Sequence, residues 1–156
     1  MGVLPASNSK PFVQIACVCE KVLIEPDNVA SLIRVVDTYA LALPTPELPA
    51  GVQIAFLIAF ISLKSGDVVG EFEVGLRLNH PDGKDYPIRR WPVEFRGGES
   101  GVNLKIAFSL PDAKFGLYWF DVLWGDEVLT RIPFRLKAAS TESTASEAAP
   151  TETTTH

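Results

Sequence analysis

Histidine and cysteine are scarce in this chain of 156 residues, two of each, and that scarcity removes much metal and nucleophile chemistry at once. The histidines are His80, in the turn-forming run His80-Pro81-Asp82-Gly83-Lys84, and His156, at the end of a polar tail. Neither sits in a Ser–His–Asp or Cys–His pattern, which needs base and nucleophile within hydrogen-bond reach. Cys17 and Cys19 are one residue apart. On a strand they point the same way, roughly 6–7 Å apart, an awkward spacing for a disulfide. With no histidine near them in sequence, a four-ligand zinc site cannot be assembled from cysteine alone. Both thiols read as small apolar side chains of a buried strand.

Positive charge is also missing. The formal net charge is −5, which argues against a nucleic-acid backbone as partner, since phosphate contacts need clustered Lys and Arg. Arg89, Arg90 and Arg96 are close in sequence, but Trp91, Glu94 and Phe95 interleave with them and make a mixed strand face. The longest apolar run, Val52 to Leu63, is about a dozen residues, too short to span a bilayer as a helix. The opening MGVLPASNSKP has no basic segment followed by an apolar one, so no secretory leader is read there. Ala6 stands where an N-myristoylation motif wants Ser or Thr. Gly97, Gly98 and Gly101 lead into a strand rather than a helix, which leaves a dinucleotide role unsupported. These observations predict a cytoplasmic protein with no membrane or nucleic-acid partner and no cofactor.

What is present is β patterning. Apolar residues make up 47% of the chain, enough for one domain with a core. In KFGLYWFDVLWGDEVLTRIPFRL (114–136), Tyr118, Phe120, Val122 and Trp124 share one face. After Gly125-Asp126, Val128, Thr130, Ile132, Phe134 and Leu136 alternate on the return. Alternation on both sides of a short turn predicts a hairpin. Phe12 to Ile24 is apolar on both faces and reads as a central strand. Residues 30–43 carry both a helical spacing, with Asp27 or Asn28 as cap, and a β-branched composition; strand is the reading chosen, with helix the alternative. Val52 to Leu63 and Val68 to Asn79 read as two strands joined by a turn at 64–67. Tyr86 to Phe95, broken by Pro87 and Pro92, reads as an edge strand. A flexible link at 97–101 precedes a strand from Val102 to Leu110. Together these predict an all-β fold: a single antiparallel β-sandwich, immunoglobulin-like or C2-like, of about eight strands over 12–137. Residues 1–11 read as a flexible lead-in. Residues 138–156, without a large apolar side chain, read as a disordered Ser/Thr/Glu/Ala-rich tail.

Site candidates are few. If the strands simply alternate in direction, Asp27, Asp67, Asp126 and Glu127 collect at one end, where carboxylates can hold Ca²⁺. Turn chemistry explains the same acids without a metal. Glu20 and Arg34 face each other if 30–43 pairs with the first strand, and Asp37 lies near, which suggests a structural ion network. Arg89, Arg90 and Trp91, on the proline-broken strand, are the candidate interface. The expected role is a non-enzymatic protein-binding or scaffolding module whose partner is another protein or a second copy. A small-ligand or Ca²⁺-binding domain is the alternative.

The segments CEKVLIEPDNVASLIRVVDTYAL, HPDGK and FGLYWFDVLWGDEVLTRIPFRL, with a proline-bearing loop between the first two, resemble an uncharacterised family of bacterial immunoglobulin-like β-sandwich domains. The resemblance covers about residues 12–137. It implies a bacterial, cytoplasmic, non-enzymatic domain and carries no site residues with it.

Overall fold

The computed structural model describes residues 9–43, 47–52 and 54–139, and its regular structure is all strand. Seven strands follow in order: β1 (Phe12–Ile24), β2 (Ala30–Val35), β3 (Thr38–Leu41), β4 (Ile54–Asn79), β5 (Arg89–Leu110), β6 (Gly116–Trp124) and β7 (Glu127–Ala138).

Two of these strands are twice the expected length. Where a reversal was predicted at 64–67 and a flexible link at 97–101, the chain bends and the ladder goes on. β4 pairs with β5 antiparallel from Ile54↔Leu110 to Leu76↔Arg89, with irregularities around Gly66. Gly66 pairs with Gly98 at the bend, and Gly66, Gly97 and Gly98 have φ of 58°, 83° and 62°. Glycines that punctuate a turn in sequence serve here to coil both partners around one corner. The expectation of about eight strands running alternately up and down is thereby corrected.

The corner divides the sheet into two halves. Before it, β4 pairs with β1, from Phe12↔Lys64 to Cys19↔Ile58, and β1 with β2. After it, β4 pairs with β6, from Val74↔Trp124 to Asn79↔Trp119, and β6 with β7. The result is one continuous sheet in the order β2-β1-β4-β6-β7-β3, with β5 along β4. Its last pair, β3 on β7, is parallel, so the expectation of a wholly antiparallel arrangement fails. Residues 30–43 are strand, as their β-branched content suggests, but in two pieces. Val36 N–H donates to the Val18 carbonyl at 2.8 Å, and Arg135 N–H donates to that of Asp37 at 2.7 Å. Between those bonds the chain leaves β1 for β7, and a parallel pairing follows from crossing without reversing.

The two halves share one core. Phe108 of β5 meets Phe120 of β6 and Phe134 of β7, with ring centroids 4.7 and 6.3 Å apart. Val18, Ala59, Ile61, Val74, Ile106, Tyr118 and Val122 are buried with them. Residues of opposite parity lie on the other face of the sheet: Ile15, Cys17, Cys19, Ile58 and Phe60 from the first half, Arg77, Asp121 and Arg131 from the second, with Cys19, Phe60 and Asp121 buried there. β7 reaches Ala138, and Ala139 N–H donates to the Leu41 carbonyl at 2.8 Å, so order runs two residues past the predicted boundary. The remainder of the predicted tail, most of the lead-in and two of the loop prolines (Pro44 and Pro46) lie outside the described residues.

Candidate functional site

The corner separates residues that the alternating scheme had grouped. β1 starts beside it, where Phe12 pairs with Lys64, and runs away from it, so Asp27 sits at the far end. Asp67 lies in the corner itself. Asp126 and Glu127 form the β6–β7 turn, next to the Trp124↔Val74 pair. Glu127 makes an ion pair with Lys10. Among the described residues no group of three or more His, Cys, Asp or Glu is placed to hold a metal ion. The four acids are therefore not one ligand set here.

Glu20 and Arg34 do meet. The β1–β2 register sets them opposite each other, and Arg34 Nε lies 3.0 Å from Glu20 Oε2. Asp37 stands beyond the end of β2 and contributes its carbonyl to β7 instead. Arg89, Arg90 and Trp91 are divided between the two faces of β5. The Arg89 guanidinium lies over the Trp91 ring at 5.2 Å, while Arg90 Nη1 donates to the Gly125 carbonyl at 3.4 Å. The strand that carries them pairs with β4 alone and is an edge. Cys17 is half-buried and Cys19 buried, both as free thiols on the outer surface of the first half. Burial raises both pKa values, and for Cys17 the neighbouring Cys19 adds to the rise.

Two polar clusters went unread in the sequence. The first is centred on Asp121, whose side chain is 3% exposed. Asp121 Oδ2 accepts from Arg77 Nη2 and Asn79 Nδ2, both at 2.8 Å, and Oδ1 accepts from Arg131 Nε at 2.7 Å. Burial by itself would raise this carboxyl's pKa; the bonds from Arg131, Arg77 and Asn79 outweigh it and hold the value below the usual range. The Arg131 guanidinium also covers the Trp119 ring at 4.7 Å. An acid between Phe120 and Val122 was the available signal. The partner was hidden because a bulge between Val122 and Leu123 shifts the hairpin register. Without it Asp121 would face Thr130 instead of Arg131.

The second cluster closes the 80–84 turn. The His80 side chain is buried, with Nδ1 2.8 Å from Asp82 Oδ1 and Nε2 3.1 Å from the Asp112 carbonyl. Asp82 also accepts from Lys84 N–H at 2.9 Å and from Lys114 Nζ at 3.3 Å. The Lys84 amide is the main cause of a pKa lowered to about 2. Partial burial opposes that shift, and Lys114 and His80 reinforce it. Tyr118 completes the cluster: its hydroxyl accepts from Lys114 N–H at 2.8 Å and donates to Lys114 C=O at 3.0 Å. It is fully buried, and burial raises its pKa. In both clusters the polar groups satisfy one another.

The outer surface of the first half is different: around buried Cys19 and Phe60 it carries several exposed apolar side chains. The ladders align Val35, Cys19, Ile58 and Ala107 in one row across four strands, with Cys17, Phe60 and Lys105 in the next. Around them Ile15, Leu23, Ile33 and Val35 stand exposed, Val35 at 59%. β2 is a free edge of the sheet.

Fold and surface together define, among the described residues, an all-β protein with one shared core and a β1–β2 hairpin that bears several exposed apolar side chains. Residues 14–137, from β1 almost to the end of β7, match the Family of unknown function (DUF6941), and the chain belongs to that family. No curated protein matches it. No helix among the described residues is long and apolar enough to cross a membrane.

Proposed function

We propose that this protein is a non-enzymatic binding module that docks through the outer surface of the β1–β2 hairpin, and that its occupant is a second copy of the chain. The observation that carries this is the concentration of exposed apolar residues. Of the eleven large apolar side chains exposed among the described residues, seven belong to β1, β2 and their turn, and five of these (Phe12, Ile15, Leu23, Ile33 and Val35) lie on the outer face. Contiguous apolar surface at a free edge is a liability unless something covers it.

Charge favours a copy as the cover. Lys21 and Arg34 nearly balance Glu20, Glu25 and Asp27, so two hairpins meet with less repulsion than the whole chain's net charge of −5 implies. Arg34 has φ of 54°, and this kink in β2 blunts the edge against open-ended strand addition. What is left is the face, and two faces related by a two-fold axis close on themselves. Binding is favoured over catalysis because the polar atoms at Asp121 and His80 are taken up by each other.

With this goes a finer fold reading, in which the two facing halves form a β-sandwich of immunoglobulin-like kind. The Phe108 contacts with Phe120 and Phe134 support it. A cytoplasmic location fits the free Cys17 and Cys19, since reducing compartments keep thiols unpaired.

Light scattering at about 100 µM, where micromolar affinity already populates a dimer, tests the proposal. The expected result is twice the chain mass for the wild type and the single-chain mass for Ile33→Lys and Val35→Lys, each variant still melting cooperatively but without the wild type's rise of melting temperature with concentration. A wild type of single-chain mass at that concentration overturns it.

A further inference from the structure

Among the described residues β5 bonds only to β4, so along its side no described strand continues either half of the sheet. A cleft of about 320 Å³ opens there between the halves. Its walls are the core side chains Leu76, Leu78, Ile106, Phe108 and Phe120. Arg89, which pairs with Leu76, also lines it and is exposed, its guanidinium resting over the Trp91 ring. Tyr86 lines it too, its N–H donating to the Leu78 carbonyl at 3.4 Å and its hydroxyl to that of Pro111 at 3.2 Å. That second bond ties the segment before β5 to the one after it beside the cleft. Burial raises the Tyr86 pKa, and the nearby carboxylates of Asp112 and Asp82 raise it further, so the hydroxyl keeps its proton.

We propose that this cleft takes the alkyl chain of a medium-chain carboxylate, whose head is held by Arg89. The volume is at the small end of the roughly 300–1,000 Å³ of small-molecule pockets, and apolar walls with few polar groups are what such sites share. Each methylene that enters leaves water for hydrocarbon. The Arg89 guanidinium, which matches a carboxylate with two parallel bonds, is the cationic group among the lining residues and gives the head its place. The site is separate from the β1–β2 surface and does not depend on docking there.

Titration of the full chain with decanoate, read by calorimetry and by methyl NMR spectra, tests this. Saturable binding is expected, with shifts at the Leu76, Leu78 and Ile106 methyls. Arg89→Gln is expected to weaken decanoate about ten-fold, the loss of one charge-assisted contact, and to leave decanol unchanged. Phe108→Trp, which fills the cleft, is expected to abolish binding of both; should it fail to fold, the wild-type methyl shifts decide. The proposal is overturned if decanoate does not saturate, or if the shifts fall on Ile15 and Ile33 rather than in the cleft. It is equally overturned if Arg89→Gln leaves the decanoate affinity unaltered.

Discussion

Removing the charge of Asp121 leaves Arg77 and Arg131 facing each other across β6. Asp121→Asn is expected to lower stability by about 2 kcal/mol, less than the roughly 3–5 for a fully buried pair, because both arginines keep contact with water. Urea denaturation measures it. The carboxyl pKa is lowered by folding, so its contribution is complete above the ordinary carboxylate range and is lost as pH falls through the folded value. The gap between wild type and variant should therefore narrow below about pH 4. Asp82 follows the same sign. Its carboxyl carbon shift is expected to titrate at about 2 rather than 3.8, and the amide shift of Lys84, which donates to it, should move with the same midpoint. A midpoint near 3.8 in the folded chain would contradict the turn geometry.

At the scale of elements, the long β4–β5 hairpin depends on glycine at its corner. A Cβ on Gly101 would lie 2.4 Å from the Leu63 carbonyl oxygen, a backbone atom that cannot turn aside. Gly101→Ala should cost about 2 kcal/mol or more, seen as a lowered melting temperature, while Gly83→Ala meets no atom within 4 Å and pays only for its φ of 83°. The same corner marks how far the sequence could be read. The alternation from Lys114 to Leu136 is local, and β6 and β7 follow it closely. Whether Gly66 or Gly97 reverses a strand or bends it depends on a partner thirty residues away, which periodicity does not report. The bulge in the β6–β7 hairpin is hidden for the same reason: one unpaired residue leaves the apolar pattern intact and changes who faces Asp121. Glu20 and Arg34 were legible because only a short turn separates their strands. The Asp27, Asp67, Asp126 and Glu127 grouping inherited the wrong corner.

The described residues form a single sheet around one core, with polar clusters that close on themselves and apolar surfaces that do not. Among these surfaces are the cleft along β5 and the outer face of the β1–β2 hairpin. If that face is where a second copy sits, changes to the cleft should leave the mass in solution alone, and changes to the hairpin should leave decanoate binding alone. Contact between copies can be seen directly in an equimolar mixture of ¹³C-labelled and unlabelled chain. An isotope-filtered NMR experiment is expected to show intermolecular cross-peaks from the methyls of Ile15, Ile33 and Val35. Their absence, or cross-peaks arising only from other surfaces, would contradict the proposed docking face.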